Sequence, residues 1–288
     1  MKLTCLVDNT VQAGSPFWGE HGVAFLIEGE QGCLLFDTGA SGTVLFHNME
    51  AAGMDPESIS ALALSHAHTD HTGGLPGLLE RRPGLPIYAH TDLGRERFSQ
   101  RGGEMRARGP SLGVEELRRL ADLCLSDAPQ EILPGIWTTG EITDRSEPEG
   151  RSANHFVRQG GDWVPDPYRD DLSLVVEGSR GLVLVCGCCH AGLLNTLAHV
   201  RRTFGRHPVA VIGGTHLVSA DEAHLGRLVA VLRGQGRNGR TGLGGPDEGL
   251  GLSVLYLNHC TGLRAYVALA QALEGRVFPC PVGTVLDL

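Results

Sequence analysis

The sequence predicts an α/β fold in which two β-sheets pack face to face and helices cover the outer face of each sheet. Short apolar segments of strand character alternate with helical segments on both sides of a polar middle region. Such a set buries its apolar faces when two sheets lie between two layers of helices. The 288 residues, 41% of them hydrophobic, are sufficient for this core. We therefore predict a single domain over residues 1–288, with a lid or insertion at about 91–170.

The predicted strands are short and are bounded by glycine, proline or polar residues. They cover residues 3–7, 23–28, 33–36, 59–64, 85–88, 136–139, 172–176, 182–185, 209–212 and 253–257. The predicted helices cover residues 43–52, 114–123, 191–204, 221–233 and 263–273. Glycines at both ends of the turns 29–32 and 178–181 predict two hairpins. The stretch 234–249 holds seven glycines and is predicted to be a loop.

The middle region, at about 91–170, begins with a crowd of arginines at positions 95, 97, 101, 106 and 108. Long connections inside a domain are usually functional or disordered, so we interpret this region as a lid. Arginines suit the recognition of phosphate or carboxylate, which predicts an anionic small-molecule substrate. The alternative is a solvated charged surface with no role in binding.

One loop concentrates ligand-capable side chains. His66, His68, Asp70 and His71 follow the predicted strand 59–64 directly. Imidazole together with carboxylate is the ligand set of zinc, iron or manganese. Chance would seldom place three histidines and an aspartate in six positions, so we prefer a metal site to a solvated polar loop.

Other predicted strands end in the same manner. His190 and His259 follow two later strands and are predicted metal ligands. His216 follows another strand and is predicted either to bind metal or to donate a proton to the substrate. Asp37 is expected to hydrogen-bond a ligating imidazole, although an aspartate of a turn is the alternative. Cys188 is either a thiolate ligand or a small buried residue.

Composition narrows the possible partners and the compartment. The net charge of −9 argues against a basic face that holds nucleic acid. The first residues are predicted to form a strand rather than a signal peptide, and no apolar stretch has the length of a membrane span. The eight cysteines are therefore expected to be reduced, in a cytoplasmic protein.

These motifs resemble the metallo-β-lactamase superfamily. The H-x-H-x-D-H pattern at 66–71 is its most specific motif, and Phe-Asp-Thr-Gly at 36–39 matches its first motif. Gly-Cys-Cys-His-Ala-Gly at 187–192, Gly-Gly-Thr-His-Leu at 213–217, His-Cys-Thr-Gly at 259–262 and Glu-His-Gly at 20–22 resemble one branch of it. Many members of that branch carry the name 7,8-dihydropterin-6-methyl-4-(β-D-ribofuranosyl)aminobenzene-5′-phosphate synthase.

The resemblance implies a four-layer αββα sandwich with a metal centre at one edge of the sheets. It assigns His66, His68 and His190 to a first metal ion, and Asp70, His71 and His259 to a second. The sequence departs from the superfamily pattern where a Gly-Asp usually supplies a carboxylate that bridges two metals. Cys-Gly-Cys-Cys-His stands there instead, so either Cys188 takes the bridging place or no protein group does.

The leading functional hypothesis is a hydrolase that uses one or two divalent ions, with zinc preferred over iron or manganese. A metal-activated water would attack an ester, a lactone or a phosphate-containing small molecule. Asp70 would orient the nucleophile, and His216 would supply a proton to the leaving group. The alternative is a synthase or transferase that acts on a pterin-like or phosphoribosyl substrate. A non-catalytic module that binds metal or ligand is a third possibility.

Overall fold

Two seven-stranded sheets face each other in the computed structural model of this chain, which describes residues 1–234 and 251–288. Helices pack on the outer face of each sheet, and separate apolar clusters fill the space between the layers. The predicted αββα sandwich is therefore confirmed. The predicted glycine-rich loop at 234–249 lies, apart from Gly234, outside the described residues.

The elements follow in chain order. The strands are β1 (Lys2–Val7), β2 (Ala24–Gly29), β3 (Gly32–Phe36), β4 (Ile59–Ala63), β5 (Pro86–Ala89), β6 (Arg97–Arg101), β7 (Glu104–Ala107), β8 (Asp122–Leu125), β9 (Glu131–Leu133), β10 (Ile136–Thr138), β11 (His155–Gln159), β12 (Asp162–Pro165), β13 (Ser173–Gly178), β14 (Gly181–Cys186), β15 (Ala210–Gly213), β16 (Val254–Leu257), β17 (Val277–Pro279) and β18 (Val285–Asp287). The α-helices are α1 (Gly42–Ala51), α2 (Thr69–Thr72), α3 (Leu75–Arg81), α4 (Val114–Leu120), α5 (Leu193–Phe204), α6 (Glu222–Leu232) and α7 (Leu263–Ala272).

The N-terminal sheet has the strand order β18-β1-β2-β3-β4-β5-β8, and the C-terminal sheet has the order β17-β16-β15-β14-β13-β10-β9. Each strand serves two cores because successive side chains point to opposite faces. On β14, Leu182 and Leu184 join the cluster that includes α5, α6 and α7, whereas Val183 and Val185 face the other sheet. Central strands buried on both faces explain why the sequence shows continuous apolar runs rather than alternation.

Parallel pairing places the ligand-bearing loops at one edge of the sandwich. β3, β4, β5 and β8 are parallel neighbours, and so are β14, β15, β16 and β17. The carboxyl ends of parallel strands meet at the same edge, where the loops of open α/β sheets form ligand sites. The two predicted hairpins, β2–β3 and β13–β14, are both antiparallel pairs.

The middle region divides into two kinds of structure. β6, β7, β11 and β12 form a separate four-stranded sheet, while β8, β9 and β10 extend the two main sheets. The helix predicted for 114–123 ends at Leu120, because Asp122–Leu125 pairs with β5. Tertiary pairing here overrides local helical spacing.

No helix in the described part of the chain is long and apolar enough to cross a membrane.

Candidate metal centre

The residues singled out as ligands meet at one cavity of about 440 Å³. Six of them line it: His68, Asp70, Cys188, His190, His216 and His259. His66 and His71 are fully buried, with ring centroids 4.1 Å apart. The cavity is also lined by His21 and His155, neither of which was predicted to be a ligand. The fold thus gathers every predicted ligand, and their binding of metal remains a prediction.

The first ligand set consists of three imidazoles. The ligand atoms of His66, His68 and His190 lie within 4.8 Å of one another. His66 Nε2 and His68 Nδ1 are 3.0 Å apart, so the two rings aim at a common point. Burial lowers the pKa of each imidazole well below its usual value. The neutral form that results is the form that binds metal.

The second ligand set surrounds Asp70, which is partly exposed to the cavity. Asp70 Oδ2 lies 3.5 Å from His259 Nε2 and 3.7 Å from His71 Nε2. His21 Nε2 is 3.4 Å from the same oxygen, so His21 is an additional candidate that the sequence did not assign. Burial disfavours the charge on Asp70, but His71 and His259 outweigh it and hold the pKa of this carboxyl well below its usual value.

Cys188 lies between the two sets. Its Sγ is 3.2 Å from His71 Nε2. The same sulfur also lies within 4.8 Å of ligand atoms of His190 and of His259. A bridging ligand would occupy such a position, and the assignment of Cys188 as that ligand remains a prediction.

Oxygen atoms orient three of the rings. Asp37 Oδ2 lies 2.6 Å from His71 Nδ1, as predicted for this aspartate. The Gly150 carbonyl is 2.7 Å from His190 Nδ1, and Asn9 Oδ1 is 3.0 Å from His259 Nδ1. Each contact occupies Nδ1 and leaves Nε2 directed at the centre. A histidine that binds metal usually has its other ring nitrogen hydrogen-bonded to an oxygen in this way.

Two consecutive aspartates fix the two main ligand loops. Asp170 accepts a hydrogen bond from the Ala67 amide, between His66 and His68, at 2.8 Å. Asp171 accepts one from the Ala191 amide, directly after His190, also at 2.8 Å. Burial raises the pKa of Asp171 to about 6. These contacts make the spacing of the first ligand set depend on the last residue of the middle region and on the residue after it.

Buried nitrogen atoms without partners test whether the site fits a metal. Among the described residues, the Nε2 atoms of His68, His190 and His259 are buried and make no hydrogen bond. A buried polar group without a partner is costly and needs an explanation. Divalent ions held by the two sets would satisfy the Nε2 atoms of His190 and His259, whereas His68 faces His66 through its Nδ1. The two unpartnered Nε2 atoms directed at the centre therefore fit a metal.

Unusual backbone conformations cluster at this edge. Within residues 1–234 and 251–288, the non-glycine residues with positive φ are Asp37, Tyr168, Cys189, His216 and His259. Such conformations cost free energy and are typical of functional sites. Each of these residues is a candidate ligand or contacts one, or directly precedes one in the chain.

Tyr168 and Asp8 contribute to the site although the sequence did not single them out. Tyr168 stacks on His190 with ring centroids 4.0 Å apart, and its hydroxyl is 2.9 Å from His155 Nδ1. Nothing in the local sequence marks it. Asp8 Oδ1 accepts the His259 amide at 2.7 Å. Asp8 follows β1 as Asp37 follows β3, so the rule that selected Asp37 would also have found it.

Curated relatives resemble the chain over most of its length. It is 31% identical over 276 residues to a Methanocaldococcus jannaschii protein, the 7,8-dihydropterin-6-methyl-4-(β-D-ribofuranosyl)-aminobenzene-5′-phosphate synthase, and this match covers 92% of the chain and 89% of the relative. An uncharacterized protein of the same organism is 27% identical over 92% of the chain and 93% of its own length.

Solved structures agree on the fold. A metal-dependent hydrolase of the β-lactamase superfamily superposes with a TM-score of 0.81 at 26% identity, over 100% of this chain and 99% of that one. Zn²⁺-bound PqqB from Methylobacterium extorquens gives a TM-score of 0.56 at 13% identity over 100% of both chains, which shows the fold alone. The family model for the metallo-β-lactamase superfamily matches residues 18–188. The chain therefore belongs to the metallo-β-lactamase superfamily and is an enzyme of this metal-dependent class.

Proposed function

We propose that the chain is a metal-dependent synthase or transferase that acts on a pterin-like or phosphoribosyl substrate. The observation that carries the proposal is the pair of adjacent ligand sets beneath one cavity. The reaction type is supported by the 31% identity to a synthase over 92% of the chain. The product named for that relative contains a dihydropterin joined through its 6-methyl group to an aminobenzene.

The metal would be held by the two sets described above, with zinc preferred and iron or manganese as alternatives. His66, His68 and His190 form a purely imidazole set, and Asp70 adds a carboxylate to His71 and His259. When bound, the ions supply positive charge that activates a nucleophile and stabilises an anionic leaving group.

The chain's own groups position the reactants. The carboxylate of Asp70 stays ionised and accepts a hydrogen bond from the nucleophile. His216 lines the cavity, and its Nδ1 is buried without a hydrogen bond among the described residues. This imidazole exchanges protons with a reactant. In the proposed reaction the arylamine nitrogen bonds to the pterin methyl carbon, the bond from that carbon to a diphosphate oxygen breaks, and the amine loses a proton.

The test combines metal analysis with product analysis. Metal-loaded protein is incubated with a dihydropterin whose 6-methyl carbon carries a diphosphate and with ribofuranosylaminobenzene 5′-phosphate. We expect mass spectrometry to detect the joined product, and we expect chelation to abolish it. The His47→Ala variant is the matched control, since His47 lies on α1 and bonds the Pro16 carbonyl instead of lining the cavity. Full activity without metal, or no joined product from fully loaded protein, would contradict the proposal.

Hydrolysis is the second candidate, and a specific observation favours it. The chain is 26% identical, over its whole length, to a solved metal-dependent hydrolase. Here a metal-activated water would attack an ester, a lactone or a phosphodiester. Turnover in ¹⁸O-labelled water distinguishes the candidates, because hydrolysis places the label in a product whereas a joining reaction leaves the condensed product unlabelled.

A further inference from the structure

The arginines of the middle region differ in whether a carboxylate neutralises their charge. Most are neutralised by a carboxylate within 4 Å, as in Arg95 with Asp92, Arg97 with Asp166 and Asp170, Arg106 with Glu104, Arg145 with Glu149 and Arg169 with Glu141. Arg101 and Arg108 have no carboxylate partner among the described residues, and both line the cavity of the histidines. The middle region therefore directs two uncompensated positive charges at the candidate metal centre.

Arg108 is fixed beside the ligand loop. Its carbonyl accepts a hydrogen bond from the Thr69 amide at 2.8 Å, so its backbone is attached one residue from His68. Its Nε donates to Ser99 Oγ at 2.8 Å. This single hydrogen bond leaves the remaining donors of a planar guanidinium available to a ligand.

Contacts across the four-stranded sheet connect this position to the first ligand set. Ser99 on β6 pairs with His155 on β11. The His155 ring lies 4.9 Å from the ring of His68. Arg101 follows Ser99 by two positions on the same strand, so both side chains point to the same face of the sheet. Arg101, Arg108 and the ligands thus border one cavity from two sides.

We propose that Arg101 and Arg108 bind the phosphate group of a phosphate monoester substrate while its reacting end lies at the metal centre. This inference rests on the proposed function and specifies its substrate class. A guanidinium presents paired donors that match phosphate oxygens, and two of them balance the charge of a dianion. The arginines are specificity residues, because they hold a group that does not react.

The test is the affinity of metal-loaded protein for ribose 5-phosphate, measured by calorimetry, with ribose as the uncharged comparison. We expect the phosphate ester to bind to the unmodified protein. We expect its affinity to fall by about 10- to 100-fold in Arg101→Gln and in Arg108→Gln, since each variant removes charge-assisted hydrogen bonds. Arg106→Gln is the matched control. It lies on the neighbouring strand of the same sheet, but its guanidinium is paired with Glu104 at 3.2 Å.

Three outcomes would overturn this inference. Unchanged affinity in both cavity variants would mean that the metal centre or another group binds the phosphate. An equal loss in Arg106→Gln would indicate a general effect of surface charge. The binding experiment does not depend on the reaction type. If the phosphate ester binds through the arginines but no joined product forms, the proposed synthase reaction is contradicted and the role of the arginines is not. A joined product formed by both variants with unchanged KM contradicts the role of the arginines alone.

Discussion

The two sheets contribute to the candidate centre in different ways. The N-terminal sheet contributes through one loop, which follows β4 and carries His66, His68, Asp70 and His71. The C-terminal sheet contributes from three separate strand ends. His190 follows β14, His216 follows β15, and His259 lies two positions after the end of β16.

This difference explains how each half keeps its geometry. Within the loop, chain spacing holds the ligands, and Asp37 and Asp170 fix the loop from outside. In the C-terminal half, the parallel register holds them. Cys186, Gly213 and Leu257 are aligned across β14, β15 and β16, so the residues after them emerge side by side. The ligands of one loop keep their spacing when the rest of the sequence changes, whereas ligands at three strand ends require the whole sheet.

The largest expected effect comes from removing a ligand side chain of the loop that follows β4. His68→Ala removes a ligand of the first set and should weaken metal binding by more than the ~10- to 100-fold typical of losing an outer partner. Elemental analysis after dialysis measures the loss. His190→Ala should match it, because the two halves contribute to one set, and His224→Ala on α6 should retain metal. A His68→Ala protein with full metal content would show that the set is misassigned.

A second prediction concerns the sulfur between the two sets. We expect cobalt-substituted protein to show a sulfur-to-cobalt charge-transfer band that disappears in Cys188→Ala, together with a fall in metal stoichiometry. Cys189→Ala is the matched control, because this neighbouring thiol points to Thr196 Oγ1 at 3.3 Å. If Cys188→Ala keeps the band, the Cys188 sulfur does not bridge the two sets.

The smallest expected effects come from the aspartates that hold the ligands of each half in place. Asp37→Asn should weaken metal binding by about 10- to 100-fold, because Asp37 contacts the His71 ring directly. Asp171→Asn should weaken metal binding by less than about tenfold, since Asp171 holds backbone amides at His190 and Ala191 rather than a ligand ring, and asparagine keeps an acceptor oxygen. Competition with a metal-sensitive dye gives both affinities, with exposed Asp162→Asn as the reference. A larger loss in Asp171→Asn would reverse the proposed order.

Much of the fold could be predicted because local pattern and tertiary structure agree. The segments at 33–36, 59–64 and 182–185 are apolar on both faces, and each became a central strand. Prediction failed where pairing across the chain decided the outcome. Residues 122 and 123, predicted as the end of a helix, belong to β8 because β5 offers a parallel partner. Residues 155–165, which lie in the long polar middle region, form a hairpin whose partner, β6, lies far away in sequence.

By itself, the sequence determined which ligand-capable side chains the site contains. Three imidazoles and a carboxylate within one loop are ligand-capable in any fold that buries them, because ligand type and spacing are local properties. Only the tertiary structure decided that Cys188 lies between two sets, that Tyr168 covers His190 and that Arg101 and Arg108 face the cavity. These relations join residues distant in the chain, and they depend on parallel register and on packing of the middle sheet, which no local pattern encodes.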